Sequence, residues 1–208
     1  MNMKSHWEKV YQIKKPDEVS WYRAHLDISL ELIEQAASDH DAHIIDVGGG
    51  GSTLVDDLLG RDYRNVAVLD LSSTALDVAK ARLGDGAIDV AWLCGDVTSF
   101  AFAPHRYDVW HDRAFFHFLT DPKDRQAYVQ QVTHAVKPGG HVIVATFGPD
   151  GPSQCSGLDI VRYGPDALHG EFGSRFQLLE HRTELHQTPA GAIQQFVYCY
   201  CRVAGALC

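Results

Sequence analysis

The sequence lacks any apolar run long enough to cross a bilayer. A membrane-spanning helix needs roughly 20 consecutive apolar residues, and "VIVATF" at 142–147 is one of the longest apolar runs here. The opening "MNMKSHWEKVYQIKK" also lacks the apolar core of a secretory signal. These absences predict a cytoplasmic protein with no membrane partner.

Basic clusters are also scarce. Lysine and arginine total 18 against 27 aspartates and glutamates, which gives a formal net charge of −9. Proteins that bind the nucleic-acid backbone carry a basic face, whereas the clearest basic cluster here is the pair Lys14 and Lys15. We therefore predict no nucleic-acid partner.

Cysteine pairs with metal-binding or redox spacing are missing as well. The five cysteines, at positions 94, 155, 199, 201 and 208, form no C-x-x-C motif. A metal site built from Cys155, Cys199, Cys201 and histidines is the alternative, but its spacing matches no zinc signature. We expect reduced thiols and no bound metal.

What the sequence does contain is an alternation of apolar strand-like runs and helical patterns. Short runs typical of buried parallel strands occur at 43–47, 65–70, 90–94, 107–112 and 141–147. Helical patterns occur at 23–38, 72–84 and 121–136, and two close strands at 176–185 and 193–203. Because strands joined so closely pair antiparallel, the pattern predicts a doubly wound α/β sheet that ends in an antiparallel hairpin.

Four consecutive glycines, at 48–51, follow the first predicted strand. Glycine inside a helix or strand costs about 0.5–1 kcal/mol relative to alanine, so the run predicts a turn that something approaches closely. Ligands of open α/β sheets bind at the carboxyl ends of the parallel strands. The alternative is a turn that only lets a strand and a helix pack tightly.

Aspartates lie at the ends of three successive predicted strands, at Asp46, Asp70 and Asp96. A carboxylate at the end of the second strand is well placed to accept hydrogen bonds from both hydroxyls of a ribose. Asp96 could accept from an exocyclic amino group while a neighbouring backbone N–H serves a ring nitrogen. Each aspartate alone is an ordinary cap or turn residue, but together they predict a nucleoside site.

The glycine run does not match the dinucleotide fingerprint G-x-G-x-x-G, because its third glycine would fall on Thr53. The spacing D-x-G-x-G-x-S does fit, at Asp46, Gly48, Gly50 and Ser52. With "GDV" at 95–97, "YDVWHDRAFFHFL" at 107–119 and "VKPGGHVIV" at 136–144, this order resembles the class I S-adenosylmethionine-dependent methyltransferases. That family usually has glycine at the position of Ser52.

The resemblance implies a Rossmann-like sheet of seven strands, mostly parallel with the last strand antiparallel, and S-adenosyl-L-methionine as the cofactor. Residues 1–208 are then one methyltransferase domain. Its expected parts are an N-terminal arm and helix at 1–38, a cofactor-binding core at 43–147, a substrate-side loop at 148–175 and the terminal β-hairpin at 176–203.

The N-terminal "HWEKVYQIKKPDEVSWYR" is similar to the W-x-x-x-Y opening of a subgroup that includes eukaryotic elongation-factor lysine methyltransferases and many bacterial small-molecule enzymes. The resemblance implies that these aromatic residues close over the methionine end of the cofactor, where ring faces attract a sulfonium and exclude water. It also implies a carboxylate partner in Arg113. The alternative is that the aromatics only attach the arm to the core. The expected cofactor-binding residues are Trp7, Tyr11, Tyr22, Asp46, Gly48, Gly50, Asp70, Leu71, Asp96, Val97 and Arg113.

Methyl transfer from a sulfonium is an in-line displacement that needs a positioned nucleophile and a path for any surplus proton. The segment "HDRAFFHF" supplies His111, Asp112 and His117 near the expected site. His117 is the predicted catalytic residue, because His111 falls within the strand and Asp112 can orient the loop; a packed His117 is the alternative.

We therefore predict an enzyme that methylates an oxygen, nitrogen or sulfur nucleophile of a small-molecule acceptor. Three alternatives remain: a protein lysine methyltransferase, a nucleotide-binding oxidoreductase and a non-catalytic cofactor-binding module.

Overall fold

Residues 2–205 are described here from a computed structural model. The helices are α1 (Met3–Ile13), α2 (Asp27–Ala36), α3 (Leu54–Gly60), α4 (Ser73–Leu83), α5 (Pro122–Ala135) and α6 (Pro165–Phe172). The strands are β1 (His43–Val47), β2 (Asn65–Asp70), β3 (Val90–Cys94), β4 (Tyr107–Arg113), β5 (Val136–Phe147), β6 (Gln154–Cys155), β7 (Leu158–Asp159), β8 (Phe176–Gln187) and β9 (Ile193–Val203). Among these described residues, every helix is too short or too polar to span a membrane.

The main sheet has seven strands in the order β3-β2-β1-β4-β5-β9-β8. The first five strands are parallel, and β9 runs antiparallel to both of its neighbours, β5 and β8. The predicted sheet class, with its closing antiparallel hairpin, is confirmed. Because β1 and β4 lie side by side at the centre, the residues that follow them meet at one edge of the sheet.

Apolar side chains cover both faces of this sheet. On one face, Leu32 and Ile33 of α2 and Leu58 of α3 pack onto the strands. On the other face, Tyr128 of α5 and Phe172 of α6 pack onto the strands. Full burial of one such side chain stabilises the fold by about 1.5–3 kcal/mol. Covering on both faces explains the apolar runs within the central parallel strands.

The predicted starts of α4 and α5 are confirmed by their caps, whereas the helix predicted at 23–38 begins only at Asp27, without a side-chain cap. The Ser72 hydroxyl accepts a hydrogen bond from the backbone N–H of Ala75 at 3.1 Å, at the start of α4. The Asp121 carboxylate accepts from the N–H of Lys123 at 2.9 Å, and Pro122 occupies the first position of α5. Both arrangements satisfy N–H groups that lack a partner within the helix.

Three features differ from the expectation. The N-terminal arm contains α1, which buries no residue fully and therefore carries little sequence signal. Strand β5 begins at Val136 rather than at 141, so "KPGG" lies within the strand, where the register with β4 shifts. The loop at 148–175 contains α6 and also the small hairpin of β6 and β7, whose strands are too short for a periodic pattern.

The described cysteines are free, in agreement with the expected thiols; they are Cys94, Cys155, Cys199 and Cys201. The sulfur atoms of Cys199 and Cys201 lie 3.4 Å apart on one face of β9. Cys208 lies outside the described residues. Within residues 2–205, no group of three or more histidines, cysteines and acids is placed to hold a metal ion.

Helix α1 is joined to the N-terminus of α4 by Glu8. Its carboxylate accepts hydrogen bonds from the backbone N–H groups of Ser73 at 2.8 Å and Thr74 at 3.1 Å, and from the Ser73 hydroxyl at 3.1 Å. Burial alone would raise the pKa of Glu8, but the bonds from Thr74 and Ser73 outweigh it and lower the pKa to about 2. A side chain from one helix thus caps another.

Replacing this cap should loosen α1 from the rest of the fold. Glu8→Gln is expected to reduce the free energy of α1 docking by about 1 kcal/mol, the usual value of an N-terminal cap. Because the folded pKa lies below the ordinary 4.5, the wild-type contribution is full above that pH and disappears as the pH falls toward 2. Hydrogen exchange of the α1 amides measures the change. Asp17→Asn, which removes an exposed carboxylate, is the control, and equal exchange in both variants would contradict the capping role.

Candidate functional site

A cavity of about 320 Å³ opens at the carboxyl ends of β1, β2, β3 and β4. Its floor is the segment from Asp46 to Thr53, together with the ends of the neighbouring strands. Met3, Trp7 and Tyr11 of α1 line it from above. A volume of this size lies at the lower end of the range for small-molecule sites, roughly 300–1,000 Å³.

The glycine turn leaves no room for side chains. Gly48 has a φ of +68°, and a Cβ built on it would lie 2.6 Å from the Cβ of Phe115. Gly50 has a φ of +39°, and its Cβ would lie 2.7 Å from Oδ2 of Asp70 and 2.9 Å from the Tyr11 hydroxyl. Residues other than glycine rarely adopt such backbone angles. The bare turn lets parts of β2, β4 and α1 meet over the end of β1.

Asp70 ends β2 beside this turn and is 9% exposed. One of its carboxylate oxygens accepts from the N–H of Ser72 at 2.8 Å, and the other faces Gly50. Burial raises the pKa of Asp70 to about 7, because the Ser72 bond offsets it only in part and the charges of Asp46 and Glu8 add to the rise. A hydroxyl donor arriving at this carboxylate would stabilise its charged form.

Asp96 follows β3 at the far end of the cavity. One oxygen of its carboxylate accepts from both the backbone N–H of Thr98, at 2.9 Å, and the Thr98 hydroxyl, at 2.7 Å. Val97, in this turn, lines the cavity, as does Leu71 after β2. The predicted nucleoside-facing edge is therefore assembled from the ends of two neighbouring strands.

The Asp46 side chain lies beneath the turn. It is buried, and its Oδ1 lies 2.7 Å from Nδ1 of His111 on the neighbouring strand β4. The other nitrogen of that ring lies 2.9 Å from the Ser29 hydroxyl on α2. Because a carboxylate only accepts, Nδ1 carries the hydrogen and Nε2 accepts from Ser29. His111 lines the cavity with both ring nitrogens already bonded.

Arg113 ends β4 at the edge of the cavity and is 8% exposed. Its guanidinium donates to the Tyr198 hydroxyl at 3.0 Å, the carbonyl oxygen of Trp21 at 3.1 Å and the Glu184 carboxylate at 3.2 Å. The other oxygen of Glu184 accepts from Arg23 at 3.0 Å. Burial works against the charge of Arg113, but Tyr198 and Glu184 raise its pKa above the ordinary value.

The segment that follows β4 is fixed by Asp112. Its buried carboxylate accepts from the N–H groups of Phe115 at 3.0 Å and Phe116 at 3.3 Å, and from the Tyr128 hydroxyl at 2.7 Å. Burial raises the pKa of Asp112 to about 7 despite these bonds. Ala114, between Arg113 and this turn, has a φ of +72°, a conformation costing about 1–3 kcal/mol in a residue other than glycine. Asp112 orients the loop, as expected.

Aromatic rings form the outer wall of the cavity. The Trp7 ring packs edge-to-face on Trp21 at 5.8 Å and on Phe118 at 5.1 Å between centroids. The ring centroids of Tyr11 and Trp7 lie 6.5 Å apart, and Tyr22 lines the same cavity. The wall therefore combines α1, the segment before α2 and the loop after β4.

Nearly all the expected cofactor-binding residues line this one cavity. They are Trp7, Tyr11, Tyr22, Asp46, Gly48, Asp70, Leu71, Asp96, Val97 and Arg113. Gly50 lies just behind the wall, against Asp70 and Tyr11. Their individual binding roles stay predictions, but residues far apart in the chain do meet at one place.

His117 is placed differently from the expectation. Its side chain is fully buried and stacks on Phe147 at 4.6 Å between centroids, outside the set of residues that line the cavity. Burial lowers the pKa of His117 to about 3, and the charge of Arg113 adds to this effect. A general base must reach its substrate, so the geometry favours the packing alternative, and the catalytic role of His117 stays a prediction without structural support.

Residues 44–140 match a family described as a methyltransferase domain. This match agrees with the predicted resemblance to the S-adenosylmethionine-dependent methyltransferases. The matched region covers β1 to the start of β5, which is under half of the chain, and leaves α1, α2 and the β8–β9 hairpin outside it.

Two relatives share the name ubiquinone biosynthesis O-methyltransferase. The protein of Serratia proteamaculans is 33% identical over 117 residues, which cover 56% of this chain and 47% of the relative. That of Coxiella burnetii is 26% identical over 120 residues, which cover 58% of this chain and 50% of the relative. The chain thus spans about half the length of these relatives.

Solved structures show the same fold at low identity. A methyltransferase from Anabaena variabilis superimposes with a TM-score of 0.73 at 15% identity, covering 98% of this chain and 96% of that one. A chain from work on the conversion of a disulfide bond into a thioacetal during echinomycin biosynthesis gives 0.81 at 17% identity, covering 99% and 94%. These likenesses extend the fold assignment to the regions outside 44–140.

Arg23, Glu184 and Tyr198 belong to the Arg113 network but were not predicted. Arg23 directly follows "SWY" in the aromatic arm, so the arm motif could have included it. Glu184 and Tyr198 lie 71 and 85 residues from Arg113 along the chain. Nothing in their local sequence marks them, because their role arises only from the pairing of β5 with β9 and of β9 with β8.

A side chain in the glycine turn should disrupt the cavity. Gly50→Ala places a methyl group against Asp70 and Tyr11 at a positive φ. We expect the affinity for S-adenosylhomocysteine to fall by about tenfold or more, from strain of about 1–3 kcal/mol, as measured by calorimetry. The matched control is Gly86→Ala, where a built Cβ meets nothing within 4 Å. Unchanged binding in Gly50→Ala would show that this turn does not shape the site.

Proposed function

We propose that this chain transfers the methyl group of S-adenosylmethionine to a hydroxyl oxygen of a small-molecule acceptor. The observation that carries the proposal is a single cavity in which the glycine turn, Asp70, the backbone at Val97 and Arg113 meet at adjoining strand ends. The names of the relatives, both O-methyltransferases, support oxygen as the acceptor atom.

The residues present fit the cofactor in the order of the strands. We assign the adenine end to Asp96 and the Val97 backbone after β3, and the ribose hydroxyls to the buried carboxylate of Asp70 after β2. We assign the methionine end to the glycine turn after β1 and to Arg113 at the end of β4. An arginine suits a carboxylate because its planar N–H groups can donate two parallel hydrogen bonds.

When bound, S-adenosylmethionine supplies an electrophilic methyl group on a sulfonium. The aromatic wall excludes water from this group, and the faces of Trp7, Tyr11 and Tyr22 favour its positive charge. The remaining apolar lining, with Met3 and Phe118, suits a flat apolar acceptor rather than a charged one. In this assignment the chain contributes mainly by position and by exclusion of water.

The acceptor proton has no obvious protein base in this arrangement. Within residues 2–205, the histidine that lines the cavity is His111, and both of its ring nitrogens are engaged. An acidic hydroxyl such as a phenol, which releases its proton more readily than an alcohol, therefore suits the site better. A phenolic acceptor is consistent with the apolar aromatic wall.

The proposed role of Asp70 gives cofactor binding a pH dependence. Its pKa of about 7 in the free protein should fall when ribose hydroxyls donate to the carboxylate. Affinity for S-adenosylhomocysteine should therefore rise about tenfold from pH 6 to pH 8 and level off above. Asp70→Asn should bind more weakly and lose the dependence. A wild-type affinity that is flat over this range would contradict the assignment.

The proposed activity is tested first by binding and then by turnover. Calorimetry with S-adenosylhomocysteine and, in parallel, with NADH should show micromolar binding of the first alone. Transfer of labelled methyl groups is then compared among phenols, aliphatic alcohols, thiols and a lysine peptide, with phenols expected to react fastest. Binding of NADH alone would overturn the proposal. Cofactor binding without transfer to any acceptor would favour a non-catalytic binding module.

A further inference from the structure

We propose that Tyr198, on the terminal hairpin strand β9, is a positioning residue that orients Arg113 toward the carboxylate of the cofactor. This inference rests on the proposed function, and it concerns a residue outside the matched region 44–140. Its basis is a buried hydrogen-bonded group that joins the end of β4 to β9, β8 and the segment before α2.

The Tyr198 hydroxyl stands at the centre of this group. It accepts from Nε of Arg113 at 3.0 Å and donates to Oε2 of Glu184 at 3.0 Å. The residue is 1% exposed, so its hydroxyl has no competing water. Because Glu184 as a carboxylate can only accept, the phenolic hydrogen points toward it, which leaves the Tyr198 lone pairs for Arg113. One hydroxyl thus fixes both partners.

Each of the three nitrogens of the Arg113 guanidinium donates a hydrogen bond. Its Nε donates to Tyr198, while one terminal nitrogen donates to Trp21 and the other to Glu184. The plane of the group lies over the ring of Phe196 at 4.2 Å from the centroid. A guanidinium has five N–H groups, so one hydrogen remains on each terminal nitrogen. Within residues 2–205 these two hydrogens have no partner, so they are left to donate to a carboxylate.

Loss of the Tyr198 hydroxyl would change the orientation of Arg113 rather than its charge. Without the bond to Nε, the guanidinium keeps its partners on the terminal nitrogens but can turn about the end of its side chain. The affinity for ligands that carry the carboxylate should then fall, while the affinity for ligands that lack it should not change. A merely structural role would weaken both kinds of ligand alike.

The test compares two ligands in one variant. Full-length wild type and Tyr198→Phe are titrated by calorimetry with S-adenosylhomocysteine and with its analogue that lacks the carboxylate. Tyr198→Phe should bind S-adenosylhomocysteine about tenfold more weakly, as expected for loss of a hydrogen bond to a charged group, and should bind the analogue as the wild type does. Tyr200→Phe is the matched control. It lies two residues along the same strand, and its hydroxyl meets His141, at 2.9 Å, instead of Arg113.

A second variant keeps the test decisive if Tyr198→Phe is poorly folded. Arg113→Lys retains the charge but removes the planar group, and it should lose the same preference for the carboxylate-bearing ligand. The double variant with Arg113→Lys and Tyr198→Phe should show the same ratio of affinities for the two ligands as Arg113→Lys alone. An unchanged preference in Tyr198→Phe, or equal weakening of both ligands, would overturn the positioning role. Failure of the wild type to bind either ligand would instead overturn the proposed function.

Discussion

Three parts of the structure converge on the backbone of the turn after β1, and none could approach it if the turn carried side chains. Phe115, from the loop after β4, lies against Gly48, while Asp70 and Tyr11 lie against Gly50. The turn therefore decides how closely β2, β4 and α1 can come together. The depth of the cavity and the identity of its walls both depend on this close approach.

Several charged residues around the cavity are buried, and the fold gives almost every one of these a partner. Hydrogen bonds join Asp46 to His111, Asp112 to Tyr128 and Arg113 to Glu184. Unpaired charges at such depth would cost several kcal/mol each. Asp70 differs, because backbone N–H groups are its donors and because burial, with a smaller effect from nearby acids, raises its pKa. The Asp70 carboxylate can therefore accept further hydrogen bonds, and a ligand that donates them would stabilise its charged form.

The local signals in the sequence were enough to predict the sheet and its edge, because apolar strands and strand-ending aspartates are both short-range patterns. Asp70 and Asp96 lie where strand ends alone would place them. Contacts made by tertiary pairing could not be predicted in this way, as Tyr198 and Glu184 illustrate. His117 illustrates a related limit, since closeness to the site in sequence did not determine which residues its side chain contacts, and its catalytic role stays a prediction. Helix α1 was missed because its contacts with the core involve partly buried residues and one capping carboxylate.

The position of α1 has a consequence for the rate at which the site can work. The helix lies over the cavity, has no fully buried residue and is joined to α4 through Glu8. Movement of this helix would widen the way out for a small molecule bound beneath it. In many enzymes this kind of opening, and not the chemical step, limits turnover. The strength of one capping interaction would then influence how long a product stays bound.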